Sequence, residues 1–131
     1  MSDTINFENF KNDGQRPIYR QILSHIMKGI VAGTICDGDA LPSRRQLSAL
    51  LGINPNTVQK AFGILEQQGL IETRAGAKSV MILDEDKIKE IRRMLLTENI
   101  VALTESMRQM GISKEEALEL VSKYWEETDD R

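Results

Sequence analysis

Residues 41–58 read LPSRRQLSALLGINPNTV, and this stretch decides the predicted fold. Ser43 follows a proline and is a favoured N-cap for a short helix, which Gly52 ends. Asn54 caps the next helix at once, and the first turn accommodates Pro55 because a nitrogen there needs no hydrogen bond. Two short helices joined by a tight turn that contains glycine are typical of a helix-turn-helix.

The flanking sequence completes a winged domain. A first helix is predicted to open at Pro17, to carry isoleucine at every fourth position from Ile18, and to end at Gly33. Two wing strands are predicted at residues 70–73 and 79–83, around a turn that contains glycine. The residues expected to face inward from the two short helices are Leu47, Leu50, Leu51, Val58, Ala61, Phe62 and Leu65.

The pattern predicts three segments in a mainly α fold. Residues 1–15 lack periodicity and are expected to form a loose N-terminal arm, followed by a winged helix-turn-helix at 16–83 and a two-helix tail at 84–131. No apolar run approaches the roughly 20 residues that span a bilayer, so we expect no membrane partner. The absence of a secretion-signal pattern and the single cysteine favour a cytoplasmic location.

The tail carries more apolar side chains than two helices can enclose. A long helix is predicted from the acids at 84–86 to about Met110, and Gly111 separates it from a last helix capped by Ser113. In the long helix a heptad-like spacing relates Leu96, Ile100, Leu103, Met107 and Met110, which we call the tail seam. Leu118, Val121, Tyr124 and Trp125 share one side of the last helix. Such a stripe predicts a homodimer held by the tail.

Charge and composition narrow the function. The net charge is −3, yet residues 41–80 hold five basic and two acidic residues, whereas residues 81–131 hold eight basic and thirteen acidic ones. Basic charge therefore coincides with the helix-turn-helix. The sequence has one histidine, one cysteine, no phosphate-binding loop and no cluster with metal-ligand spacing. We therefore expect neither an enzyme nor a metal or cofactor site. His25, Cys36 and Tyr19 are interpreted as structural residues, and an adaptor with a degenerate winged helix is the alternative function.

The second short helix has the chemistry of a recognition helix. Asn54, Asn56 and Thr57 place short polar side chains at its start, with Gln59 and Lys60 one turn on. The N–H groups of a helix start attract phosphate, and amide side chains pair with adenine. The alternative is that the Asn54-Pro55 pair is only a helix cap and the other residues form a solvated face.

Dispersed motifs across residues 16–82 resemble the GntR family of bacterial regulators. The matching motifs are Pro17-Ile18-Tyr19, Gly38-Asp39, the residues 41–47 and 54–58 quoted above, and Glu66-Gln67-Gln68-Gly69-Leu70-Ile71. The resemblance implies a winged helix-turn-helix that binds double-stranded operator DNA, an inverted repeat, as a dimer. Only 48 residues follow position 83. With so short a tail the chain resembles the YtrA-type subfamily, whose short tail dimerises. That kinship implies a repressor, with a transporter operon as a plausible target. The sequence does not exclude an activator. No residue cluster marks an effector pocket.

The resemblance also implies site roles. Arg45 matches the arginine that enters the groove, Arg44 is expected on phosphate, and Arg74 and Gly76 match a wing tip that reaches the minor groove. The family pattern Arg-x-Gly-x-Gly-Thr reads Arg74-Ala75-Gly76-Ala77-Lys78-Ser79 here, so the second glycine is lost and Lys78 is expected to add a phosphate contact. The predicted DNA-binding residues are Arg44, Arg45, Asn54, Asn56, Thr57, Gln59, Lys60, Arg74, Gly76 and Lys78.

Overall fold

A computed structural model describes residues 4–74 and 78–129. In chain order the elements are α1 (Ile18–Ala32), α2 (Arg44–Leu51), α3 (Pro55–Gln67), β1 (Ile71–Arg74), β2 (Lys78–Met81), α4 (Glu85–Gln109) and α5 (Lys114–Asp129). The predicted mainly α winged helix-turn-helix is confirmed. The chain divides into two compact units, one up to Arg92 and one from Arg93 on. No helix within the described ranges is both long and apolar enough to cross a membrane.

The helix starts and ends follow the local signals. The Ser43 hydroxyl accepts the Gln46 N–H at 3.0 Å, and the Gln46 side chain accepts the Ser43 N–H at 3.0 Å, a reciprocal capping box. Gly52 ends α2 with φ at +66°, a conformation that glycine adopts without strain. Asn54 caps α3 through its side-chain oxygen, 2.8 Å from the Asn56 nitrogen. Pro17 proves to be the N-cap of α1 rather than its first helical residue.

The core lies among the first three helices and the base of the wing. Ile22, Ile26 and Ile30 of α1 are buried, and this helix packs against α3. The predicted inward residues of α3 are all buried, but Leu50 of α2 is 62% exposed, so its inward placement is wrong. Leu47, Ser48 and the half-buried Leu51 define the inner arc of α2, and at 100° per residue Leu50 falls about 110° from its centre.

The wing pairs antiparallel from Ile71↔Met81 to Arg74↔Lys78. Strand β1 starts one residue after its predicted start, whereas β2 starts one residue before its predicted start and ends two residues before its predicted end. The far side of β2 is also paired, because the Leu41 N–H donates to the Ser79 oxygen at 2.9 Å. The predicted turn at residues 75–77, including Gly76, lies outside the described residues.

The arm is not loose, which corrects the prediction for residues 1–15 over its described part. The Ile5 N–H donates to the Ala40 oxygen at 2.7 Å, and Ile5 and Phe7 are buried. Phe7 stacks on His25 at a ring-centroid distance of 4.7 Å, and His25 Nε2 lies 2.9 Å from the Asn6 oxygen. The arm therefore packs on the domain through apolar side chains at alternate positions, as an edge strand does. His25 has the packing role expected of it.

The two tail helices begin at their predicted caps, and the predicted glycine lies between them. Asp84 caps α4 by accepting the Lys87 N–H at 2.8 Å, Gly111 has φ at +74°, and Ser113 accepts the Glu116 N–H at 3.2 Å. Most apolar residues of the unit from Arg93 on are exposed on the single chain. The large ones are Met94, Leu96, Ile100, Val101, Leu103, Met110, Leu118, Leu120, Val121, Tyr124 and Trp125.

Candidate nucleic-acid interface

The start of α3 presents polar side chains to solvent. Burial of Val58, Ala61, Phe62 and Leu65 against the core fixes which face of this helix points outward. On the outward side Asn54, Asn56, Gln59 and Lys60 are exposed, and Thr57 is half-buried. The oxygen of the Asn54 amide is engaged in the cap. The arrangement therefore offers amide side chains on one accessible edge of the helix.

The two arginines of α2 lie in different environments. Arg45 is exposed, whereas Arg44 is half-buried with its guanidinium carbon 5.3 Å from the centre of the Phe62 ring. One Arg44 terminal nitrogen is 3.7 Å from a Glu66 carboxylate oxygen. The buried Arg44 Nε has no hydrogen-bond partner in the described part of the chain. The fold thus restrains Arg44 and leaves Arg45 to extend into solvent.

A cationic cluster beside α3 was missed by the sequence reasoning. The Lys60 ammonium lies 4.1 Å from the centre of the Tyr19 ring, and Arg20 Nε donates to the Tyr19 hydroxyl at 3.2 Å. The hydrogen bond from Arg20, assisted by the charges of Arg20 and Lys60, lowers the pKa of Tyr19. Arg20 was not among the predicted site residues, because only the packing of α1 on α3 brings it near Lys60. The signal available was the basic residue next to Tyr19.

The wing carries a basic pair. Arg74 and Lys78 face each other across the two strands and are both exposed. Like charges in directly opposed positions repel, and a bound phosphate would relieve that repulsion. The wing is tied to α3 because the Thr73 hydroxyl donates to Glu66 at 2.6 Å and lies 3.3 Å from the Ser79 hydroxyl.

Two further kinds of side chain could carry chemistry, namely metal ligands and the cysteine. Within residues 4–74 and 78–129, no group of three His, Cys, Asp or Glu side chains is placed to hold a metal ion. The Cys36 thiol is exposed and lies 3.5 Å from the Gly33 carbonyl oxygen.

Comparison with known proteins agrees with this geometry. The family described as "Bacterial regulatory proteins, gntR family" matches residues 18–79. The uncharacterized HTH-type transcriptional regulator YhcF of Bacillus subtilis is 32% identical over 111 residues, which cover 85% of this chain and 92% of YhcF. The HTH-type transcriptional repressor YtrA of B. subtilis is 45% identical over 60 residues, 46% of each chain.

A solved structure extends the likeness to the tail. A GntR family transcriptional regulator from Listeria monocytogenes superposes with a TM-score of 0.76 at 33% identity, covering 86% of this chain and 98% of that one. These relatives are transcriptional regulators, so the protein is a regulator with a DNA-binding domain and not an enzyme. With a winged helix-turn-helix, near full-length likeness to such regulators and similarity to YtrA, the chain belongs to the GntR family, in its YtrA-type subfamily.

Proposed function

We propose that this protein is a homodimeric repressor that binds an inverted-repeat operator in double-stranded DNA. The observation that carries the proposal is the start of α3, where exposed Asn54 and Asn56 stand on a helix whose other face is buried. Short polar side chains at the start of an exposed helix suit entry into the major groove. The winged domain at 16–83 is the DNA-binding part, and the tail at 84–131 is the dimerisation part.

The site divides into base-reading and phosphate-binding residues. Arg45 is exposed and free to pair bidentately with guanine, while Asn56 and Gln59 suit adenine. Asn54 and Thr57 hold the helix start against the backbone of the DNA. Lys60 and Lys78 supply positive charge for phosphate, and Arg74 and Gly76 are the proposed minor-groove contacts. Arg44 is proposed on phosphate.

The exposed apolar surface of the tail supports the proposed dimerisation. Leu103 and Met107 of α4, with Val121 and Trp125 of α5, line an open groove of about 400 Å³. Apolar surface that is exposed to water favours association, and a two-fold pair would bury it on both copies. Two winged domains then address two half-sites about one helical turn, or a multiple, apart.

Repression by occlusion is the proposed mechanism, acting in the cytoplasm where the promoter lies. A dimer on the operator excludes the polymerase without needing a contact to it. One relative, YtrA, is itself named a repressor. A transporter operon is the proposed target class, on the strength of the subfamily kinship.

Selection from random DNA duplexes with the full-length protein tests the proposal. We expect the recovered sequences to contain an inverted repeat, and we expect that repeat, placed inside a promoter, to lower reporter expression when the protein is present. Affinity should fall with rising salt, since phosphate contacts release counterions. No enrichment at low salt would refute DNA binding and favour an adaptor, and a rise in reporter expression would refute repression.

A further inference from the structure

Lys87, in the first turn of α4, joins three elements through one ammonium group. Its Nζ donates to the Gly69 carbonyl oxygen at 2.8 Å and to the Ile82 carbonyl oxygen at 3.2 Å. The side chain is half-buried, and the DNA-contact assignments above do not use it. A hydrogen bond from a charged donor is stronger than one between neutral groups. The two hydrogen bonds of the Lys87 ammonium belong to this stronger kind.

The two carbonyl groups belong to the parts of the domain that meet DNA. Gly69 follows the C-terminus of α3, where its N–H closes the helix on the Glu66 oxygen at 3.0 Å. The carbonyl end of a helix attracts a cation. Ile82 leaves β2, and its N–H donates to the Leu70 oxygen at 2.8 Å. The ammonium of Lys87 therefore links the end of the recognition helix and the exit of the wing to the start of α4.

Other contacts hold the same junction. The Leu83 N–H donates to the Asp37 carboxylate at 2.8 Å, and the cap at Asp84 orients the first turn of α4. Ile91, one turn beyond Lys87, is buried with 5% of its surface exposed. The buried Ile91 side chain holds the start of α4 on the domain through apolar contact. The hydrogen bonds of Lys87 also fix its direction, because hydrogen bonds depend on angle.

We propose that Lys87 is a positioning residue that sets the direction in which α4 leaves the winged domain, and thereby the half-site spacing that the dimer accepts. This inference rests on the proposed function, because spacing has meaning only for a dimer on two half-sites. The 25 residues of α4 make a helix about 37 Å long at roughly 1.5 Å per residue. A tilt of about 10° at its start would displace its end by about 6 Å, close to two base-pair steps of about 3.4 Å.

The test compares full-length variants on a series of operators. The selected inverted repeat is synthesised with its spacer shortened or lengthened by one and two base pairs, and affinities are measured by fluorescence anisotropy. Lys87→Met removes the donor and the charge while keeping most of the length of the side chain. Lys89→Met is the matched control, since Lys89 is exposed two residues along the same helix and loses the same charge.

We expect the wild type and Lys89→Met to prefer one spacing to the same degree. Lys87→Met should reduce that preference by about three- to tenfold while its affinity for a single half-site stays unchanged. An unchanged spacing profile in Lys87→Met would overturn the inference. If Lys87→Met loses half-site binding through misfolding, the milder Lys87→Gln is scored by the same criterion. A monomeric wild type would overturn the dimer proposal itself, and the inference with it. A dimeric wild type that is indifferent to spacing would overturn the inference alone.

Discussion

Trp125→Ala is expected to weaken the proposed dimer more than any change on the opposite face of α5. Trp125 is 70% exposed on the single chain and lines the groove between α4 and α5. An aromatic side chain of its size buries roughly 150–250 Å² when covered, so about 150 Å² of its surface is open to a partner. At about 25 cal/mol per Å², burial of that area contributes close to 4 kcal/mol per chain.

The loss on truncation is smaller than full burial predicts, because interface side chains are partly covered and the partner relaxes. About 2 kcal/mol per chain is a typical value for an aromatic anchor. Both subunits carry the change, so we expect about 4 kcal/mol, which raises the dimer dissociation constant about 1000-fold. Sedimentation velocity over nanomolar to high micromolar concentrations measures this shift.

Glu119→Ala is the matched control for that experiment. Glu119 is exposed on the same helix, about 120° from Trp125 at 100° per residue. Its variant should keep the dissociation constant of the wild type. The reasoning is refuted if Trp125→Ala dimerises as tightly as Glu119→Ala while both keep their helix content by circular dichroism.

Two further predictions concern the winged domain, and a third concerns the N-terminal arm. Arg45→Ala should lower the preference for operator over mixed DNA by about 1–3 kcal/mol per half-site, seen as a lost footprint, and an intact footprint at equal concentration would exclude Arg45 as a base reader. Lys60→Ala should weaken binding to operator and mixed DNA alike and reduce the salt slope by about one per subunit; relaxed sequence preference at an unchanged slope would instead make Lys60 a base-reading residue. Backbone hydrogen bonds from Gln15 and Arg16, with the Arg16 side chain, lower the pKa of Asp13 to about 2, so its stabilising contribution is present above its ordinary pKa of 3.8 and is lost as pH falls toward 2. Asp13→Asn should therefore make the melting temperature less sensitive to pH across that window, and an unchanged pH dependence would contradict this role for Asp13.

The helix boundaries and the class of the site could be predicted because their causes are local. Ser43 and Asn54 cap helices through groups two or three residues away, and Gly52 reverses the chain through its own backbone angles. The apolar period of α3 is likewise contained in one helix, so its buried and exposed faces could be assigned without knowing what covers it. The polar start of α3 follows from the same pattern.

Contacts between distant segments were decided by the tertiary structure alone. The arm reaches Ala40, Lys60 reaches Tyr19, and Lys87 reaches Gly69, in each case because the core first brings two elements together. Amphipathic period gives the centre of a buried arc poorly in a helix as short as the eight residues of α2, so Leu50 was misplaced. A sequence pattern records which residues suit a face, whereas the neighbour that meets that face depends on how the whole chain packs.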